Sequence, residues 1–97
     1  MRLELSEKAD SDLREIYKYS YRQFGDAQAE RYYESLWTCF RLIADNPHLG
    51  RPRSEFQPPA RSHHHKNHVI FYDVYDDRIV IIRVLHERME IDKHMRL

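Results

Sequence analysis

Two helical stripes that meet at a single glycine constrain this chain more than any other feature of it. Ala9, Leu13, Ile16, Tyr17, Ser20 and Phe24 recur at intervals of four, three, one, three and four residues, which describes one face of a helix. Ala29, Tyr33, Leu36, Phe40 and Ile43 draw a second such face. Gly25 stands between them and can end the first helix in the left-handed C′ conformation without steric cost. Ser6 offers an N-cap hydroxyl for the first helix, Asp26 can cap the second, and Asn46–Pro47 ends it. A junction this short turns the second helix back along the first, as an antiparallel helical hairpin.

Elements of the other kind flank this hairpin. Leu3–Leu5 alternates like a short strand, and residues 47–60, with all four prolines, read as a rigid extended loop. "HVIFYDVY" and "RIVIIRVL" are rich in β-branched and aromatic residues, and Asp76–Asp77 makes a compact turn between them. Ile70, Tyr72 and Val74 then share one face, with Phe71, Asp73 and Tyr75 on the other. In the second strand Val80, Ile82 and Val84 form an apolar row expected to face the core, which puts Arg83 opposite with Ile79, Ile81 and Leu85. The expected fold is α+β in the order β-α-α-β-β-β, a helical hairpin on a mostly antiparallel sheet. The charged tail "HERMEIDKHMRL" is able to add a short terminal helix.

Ninety-seven residues allow one domain, 1–97, and leave no length for a second. Lys and Arg balance Asp and Glu at 16 each, so net charge predicts neither a nucleic-acid nor a membrane partner. The halves differ only slightly: seven basic against nine acidic residues in 1–46, nine against seven in 47–97. No apolar run approaches the roughly 20 residues of a membrane span, and "MRLELSEK" lacks a signal-peptide core, so the cytoplasm is the expected location. Cys39, the one cysteine, falls in a helical pattern as a small buried group.

"RSHHHKNHVIFY", residues 61–72, holds four of the seven histidines. A two-residue turn at Lys66–Asn67 sets His65 opposite His68 and His64 opposite Val69. His63, His65 and His68 then share a face, with directly paired Cβ atoms about 5 Å apart. Three imidazoles so placed could ligate zinc or copper, but a one-residue slip dismantles the set and no carboxylate or thiolate completes it. No cofactor is expected; His63, His65 and His68 are the side chains that would hold a metal if one were bound. His86 follows the strand "IIRVL" with Arg83, Glu87 and Arg88 nearby, so acid–base and phosphate-binding groups could converge there. The same residues can serve the sheet alone, Arg83 by pairing with a carboxylate and His86 by hydrogen bonding at the strand end. No GxSxG, P-loop, HExxH or CxxC pattern occurs.

Tyr19 and Trp37 fall off the inward stripes. Exposed large aromatics on a small domain mark a protein-binding patch or flank a small core with their polar tips in water.

"LSEKADSDLREIYKYS", with Ala9, Asp12, Leu13 and Ile16, is followed in order by "FG", "QAERYYESL", "NPHLGR", "RSHHHKNHVIFY" and "RVLHERMEIDKH". Taken together these segments resemble the ParE-type toxins of the RelE/ParE superfamily, the toxin halves of bacterial type II toxin–antitoxin pairs. Arg61, His68 and Tyr72 match that family's strand–turn–strand framework. "HHHKN" departs from it, since relatives tend to carry apolar residues and a Gly-containing turn there.

The resemblance implies a RelE-like fold and a ParD-like antitoxin that wraps the helices and a sheet edge, by helix-in-groove and strand addition. Tyr19 and Trp37 are then candidate antitoxin contacts. ParE-type members act on DNA gyrase, whereas RelE-type relatives cleave mRNA on the ribosome. The zero net charge and the ParE-like "RVLHERMEIDKH" favour gyrase, because holding RNA needs many phosphate contacts. An inactive homologue serving only in the antitoxin complex is the third possibility. Under the gyrase reading Arg83, His86 and Arg88 are contacts to the target, with no catalytic residue and no sequence-specific DNA binding by this chain alone.

Overall fold

A computed structural model describes residues 1–56, 58–89 and 91–95, without the side chain of Asp92. Strand β1 (Arg2–Leu5) leads into helices α1 (Glu7–Phe24) and α2 (Asp26–Asp45). Strands β2 (Arg51–Arg53), β3 (Ala60–His65), β4 (His68–Val74) and β5 (Arg78–His86) follow, and then a helical turn, α3 (Ile91–His94). The sheet order is β1-β5-β4-β3-β2. β1 runs parallel to β5 and every other pair is antiparallel. β2 lies inside the stretch expected to be loop; three residues carrying a proline give no strand periodicity to read. No described helix is long and apolar enough to cross a membrane.

The helix boundaries follow from local chemistry. Ser6 caps α1: its Oγ accepts from the Ala9 amide at 3.0 Å and donates to the Ile82 carbonyl at 2.8 Å, so one hydroxyl ends β1 and starts α1. Gly25 serves both helices, its amide donating to Tyr21 O and its carbonyl accepting from the Ala29 amide. Its φ of 87° with an extended ψ of 177° belongs to glycine alone. Gly25 rather than Asp26 therefore occupies the cap of α2. Asp26 sits in the first turn, where it complements the helix dipole and accepts from the Tyr17 hydroxyl at 3.1 Å.

The main core lies between the helical hairpin and the sheet, built from Ala9, Leu13, Leu36, Phe40, Ile43, Ile70, Tyr72, Ile79, Ile81 and Val84. A second cluster on the opposite sheet face joins Phe56, Val69, Phe71, Leu85 and Met95, with Ile82 and Ile91 beside it. Both helical stripes go inward as expected, except that Phe24 is 59% exposed at the last residue of α1. The expected row Val80–Ile82–Val84 is corrected by a β-bulge. Phe71 pairs with Arg83 but Tyr72 pairs with Ile81, so Ile82 is an extra residue and the alternation restarts after it. Ile79, Ile81 and Val84 consequently face the helices, while Leu85 turns to the second cluster.

Candidate functional site

Four polar or aromatic constellations surround this core. The first clamps the loop after α2. The Tyr72 hydroxyl, on a fully buried ring, donates to Pro47 O and accepts from the Gly50 amide, both at 2.8 Å. Arg61, paired across the strands with Tyr72, donates to Gly50 O at 2.6 Å. Burial raises the Tyr72 pKa, keeping the phenol a donor. A Cβ on Gly50 would lie 2.6 Å from Tyr72 Oη and 2.9 Å from Ser62 O, so only glycine lets this loop approach so closely. Arg61 and Tyr72 thus act together to hold this loop to the sheet. The third residue matched to the family's framework, His68, lies elsewhere.

The second constellation spans the sheet edge past the end of β1. Arg83 donates from Nε and Nη2 to the two carboxylate oxygens of Asp12, both at 2.9 Å, and from Nη1 to His94 O at 2.7 Å. Asp12 also accepts from the Val84 amide at 2.9 Å, an amide the bulge frees from the ladder. Side-chain exposure of 17% for Arg83 and 15% for Asp12 makes this a largely desolvated, bidentate pair. Asp12 raises the Arg83 pKa further. Arg83 is therefore a tie between α1, β5 and α3. Its distant partner was legible only as one carboxylate among sixteen acidic residues.

The third is the histidine face. The Lys66–Asn67 turn sets His65 opposite His68 and His64 opposite Val69, as the spacing predicts. The bulge brings His86 opposite His68 as well, with ring centroids 5.4 Å apart. His68 Nδ1 hydrogen-bonds the Tyr32 hydroxyl and His65 Nε2 the Ser35 hydroxyl, so α2 closes over the row. Burial, then His86 and His65, pushes the His68 pKa down to about 4. Burial also lowers His63 and His65. Among the described residues no group of three His, Cys, Asp or Glu side chains is placed to hold a metal ion. His86 Nδ1 accepts from the Arg88 amide at 3.1 Å, the strand-end role weighed above, and Arg88 itself is exposed.

The fourth is aromatic. Tyr17 meets Tyr33 edge-on at 5.9 Å, Tyr33 meets Trp37 at 6.4 Å, and Trp37 meets Phe40 at 5.3 Å. Tyr33, Glu34, Trp37, Thr38 and Arg41 line a shallow cleft of about 620 Å³. Trp37 is half-buried against the core and Tyr19 is 58% exposed. At about 100° per residue Tyr19 points some 160° away from Tyr17 around α1, so it does not share the Trp37 cleft. On the open sheet face a separate groove of about 500 Å³ is lined by Arg51, Arg53, His64, Val69, Glu87 and Ile91, among others. Arg53 is pinned there by Glu55 and Ser62 and stacks over Phe56 and Phe71. The sequence reading missed this pair of arginines, whose only signal was their i, i+2 spacing around Pro52.

Comparison with known proteins settles the family. The family described as "ParE toxin of type II toxin-antitoxin system, parDE" matches residues 3–91. The chain belongs to the ParE toxin family. It is 35% identical over 92 residues to Toxin ParE1 of Mycobacterium tuberculosis (strain H37Rv) and 36% identical over 91 residues to Toxin ParE1 of Caulobacter vibrioides, each match covering 94% of both chains. Toxin ParE of Escherichia coli is 30% identical over 88 residues, covering 90% of this chain and 85% of that one. Among solved structures the fold matches "Chromosomal ParDE TA system from P. aeruginosa" with a TM-score of 0.77 at 23% identity, over 89% of this chain and 95% of that one. The α+β architecture expected from the family resemblance is the one found.

Proposed function

We propose that this toxin inhibits DNA gyrase by binding it, without covalent chemistry of its own, and that a ParD-like antitoxin neutralises it. The observation that carries the first part is the Asp12–Arg83 pair. A ribonuclease reading asks Arg83 to hold phosphate, yet its charge is already paired with the Asp12 carboxylate and a third N–H goes to the His94 carbonyl. His86 uses one ring nitrogen on the Arg88 amide, which supports a structural role over proton transfer. Arg88, exposed beyond the strand end, becomes the leading target contact of the three candidates, with His86 positioning its backbone. A second reading, ribosome-dependent mRNA cleavage, draws support from the groove bearing Arg51 and Arg53.

For the antitoxin, the aromatic cleft beside Trp37 favours a helix laid in a groove over an added strand. The edge strand β2 is three residues long and reads Arg-Pro-Arg, and β1 has only four residues; short edges bearing charge and proline resist pairing. Purified toxin assayed for inhibition of gyrase supercoiling and accumulation of cleaved DNA, beside ribosome-dependent mRNA cleavage, separates the readings. Inhibition of supercoiling without RNA cuts is the expected result. RNA cleavage with untouched gyrase refutes the proposal, and silence in both points to an inactive homologue.

A further inference from the structure

We propose that the β3–β4 tip is an acid-released latch, in which the imidazole row His65–His68–His86 seats the hairpin on α2 while neutral and lifts it when protonated. The row is a consequence of register: His65 pairs directly with His68, and His68 with His86, so three imidazoles stand side by side across three strands. Side chains directly opposite on neighbouring strands lie close enough that like charges there oppose pairing.

The sense of the hydrogen bonds in the seat follows the protons on the imidazoles. Ser35 gives its hydroxyl proton to Tyr32 O at 2.7 Å, so toward His65 Nε2, at 2.9 Å, its oxygen accepts. With the His68 proton on Nε2, the Tyr32 hydroxyl donates to Nδ1, so this chain of bonds runs from phenol to imidazole. Neutral His68 supplies the acceptor this chain requires. Protonated His68 sets a second donor against it, on a ring with little water to compensate. The charged surroundings reinforce this sense. Lys66 lies over the Tyr32 ring at 5.5 Å, and His65, His86 and, one pair further, His63 add positive charge when protonated. Glu87 and Asp12 are the opposing carboxylates that act on His68. Asp12 is already paired with Arg83, and Glu87 lies 3.7 Å from His64.

The tip is also strained. Lys66 holds a φ of 54°, a conformation that favours glycine, so the latch contacts hold down a turn that gains by relaxing. His68 is half-buried with its pKa near 4, well placed for protonation and opening to be coupled.

Amide hydrogen exchange on the intact chain tests this, with rates corrected for intrinsic pH dependence. Between about pH 7.5 and pH 5, protection at His68 and at Glu87, whose amide donates to Asn67 O, should fall by about tenfold while that at Ile79 and Ile81 holds. His68→Asn, which keeps a neutral acceptor near the Nδ1 position, should retain tip protection at both pH values. Tyr32→Phe, which removes the bond to His68 but leaves the Ser35–His65 contact, should lower tip protection already at pH 7.5 and make it less sensitive to acid. Equal tip protection at both pH values in the parent chain overturns the proposal. So does a parallel loss at Ile79 and Ile81, or an acid response in Tyr32→Phe as large as the parent's.

Discussion

Replacing Tyr72 with phenylalanine isolates the clamp that holds the Pro47–Gly50 loop to the sheet. The ring is fully buried and phenylalanine keeps its shape, so the change removes one hydroxyl and almost nothing else. Two hydrogen bonds go with it, from the Gly50 amide and to Pro47 O. The amide belongs to a buried residue and is left without its acceptor, a loss of about 1–3 kcal/mol. Pro47 is half-buried and its carbonyl can turn partly to water, so that bond contributes about 0.5–1 kcal/mol. Relief from burying a phenol hydroxyl offsets part of this, leaving a net destabilisation of about 2 kcal/mol. With a urea m-value of about 1 kcal/mol/M for a chain of this size, the midpoint should fall by about 2 M at unchanged m. Gly50→Ala should cost about 3 kcal/mol, because the new methyl meets Tyr72 Oη at 2.6 Å and Tyr72 Cε1 at 2.7 Å. Combining it with Tyr72→Phe should recover little, since Cε1 and Ser62 O remain in the way. A Tyr72→Phe loss below 0.5 kcal/mol, against about zero for Tyr19→Phe on the exposed flank, would refute the clamp and mean that water replaces the hydroxyl.

Asp12→Asn should destabilise by about 2–3 kcal/mol in the same assay, because it leaves the Arg83 guanidinium unpaired at 17% exposure; adding Arg83→Met should return much of the loss. Stability should also fall on acidification. His68 binds a proton more weakly when folded (about 4) than when unfolded (about 6.5), so its contribution is complete above pH 6.5 and disappears as pH falls to 4. At about pH 5 this amounts to at most about 2 kcal/mol, and to about 1 after solvent screening, measured as the midpoint difference between the parent chain and His68→Asn. Trp37→Ala should weaken antitoxin binding by more than about tenfold in a calorimetric titration, whereas Tyr19→Ala, on the far flank of α1, should leave it nearly unchanged; the reverse order would move the antitoxin off the cleft.

Local chemistry makes much of this molecule legible in its sequence. The Ser6 cap, the Gly25 junction, the inward stripe of α2 and the Lys66–Asn67 turn each depend on residues within a few positions of one another, and each stands where its chemistry puts it. The unread features depend on pairings distant in sequence. β2 becomes a strand because β3 offers it a partner, and nothing in "RPR" says so. Arg83 was visible as a cation on a strand, but its meaning changes with Asp12, 71 residues away. Tyr19 and Trp37 read as one class of off-stripe aromatics, and only the helix azimuths separate them.

The bulge at Ile82 shows how one extra residue arranges two of these sites at once. Uninterrupted alternation along β5 would put His86 on the same face as Val80 and Ile82, away from Ile79 and Ile81. The restart after Ile82 instead aligns His86 with Val84 under the helices, where it meets His68. The same irregularity turns the Val84 amide out of the ladder toward Asp12, whose carboxylate then holds both that amide and Arg83. Bulges re-aim side chains at a cost in ladder hydrogen bonds, and here an acidic side chain from α1 restores the missing bond. Deleting Ile82 should therefore disturb the Asp12–Arg83 tie and the imidazole row together, although the two lie on different parts of β5. A variant in which one site moves and the other stays, read from His86 ring shifts and the Val84 amide shift, would show that the bulge does not couple them.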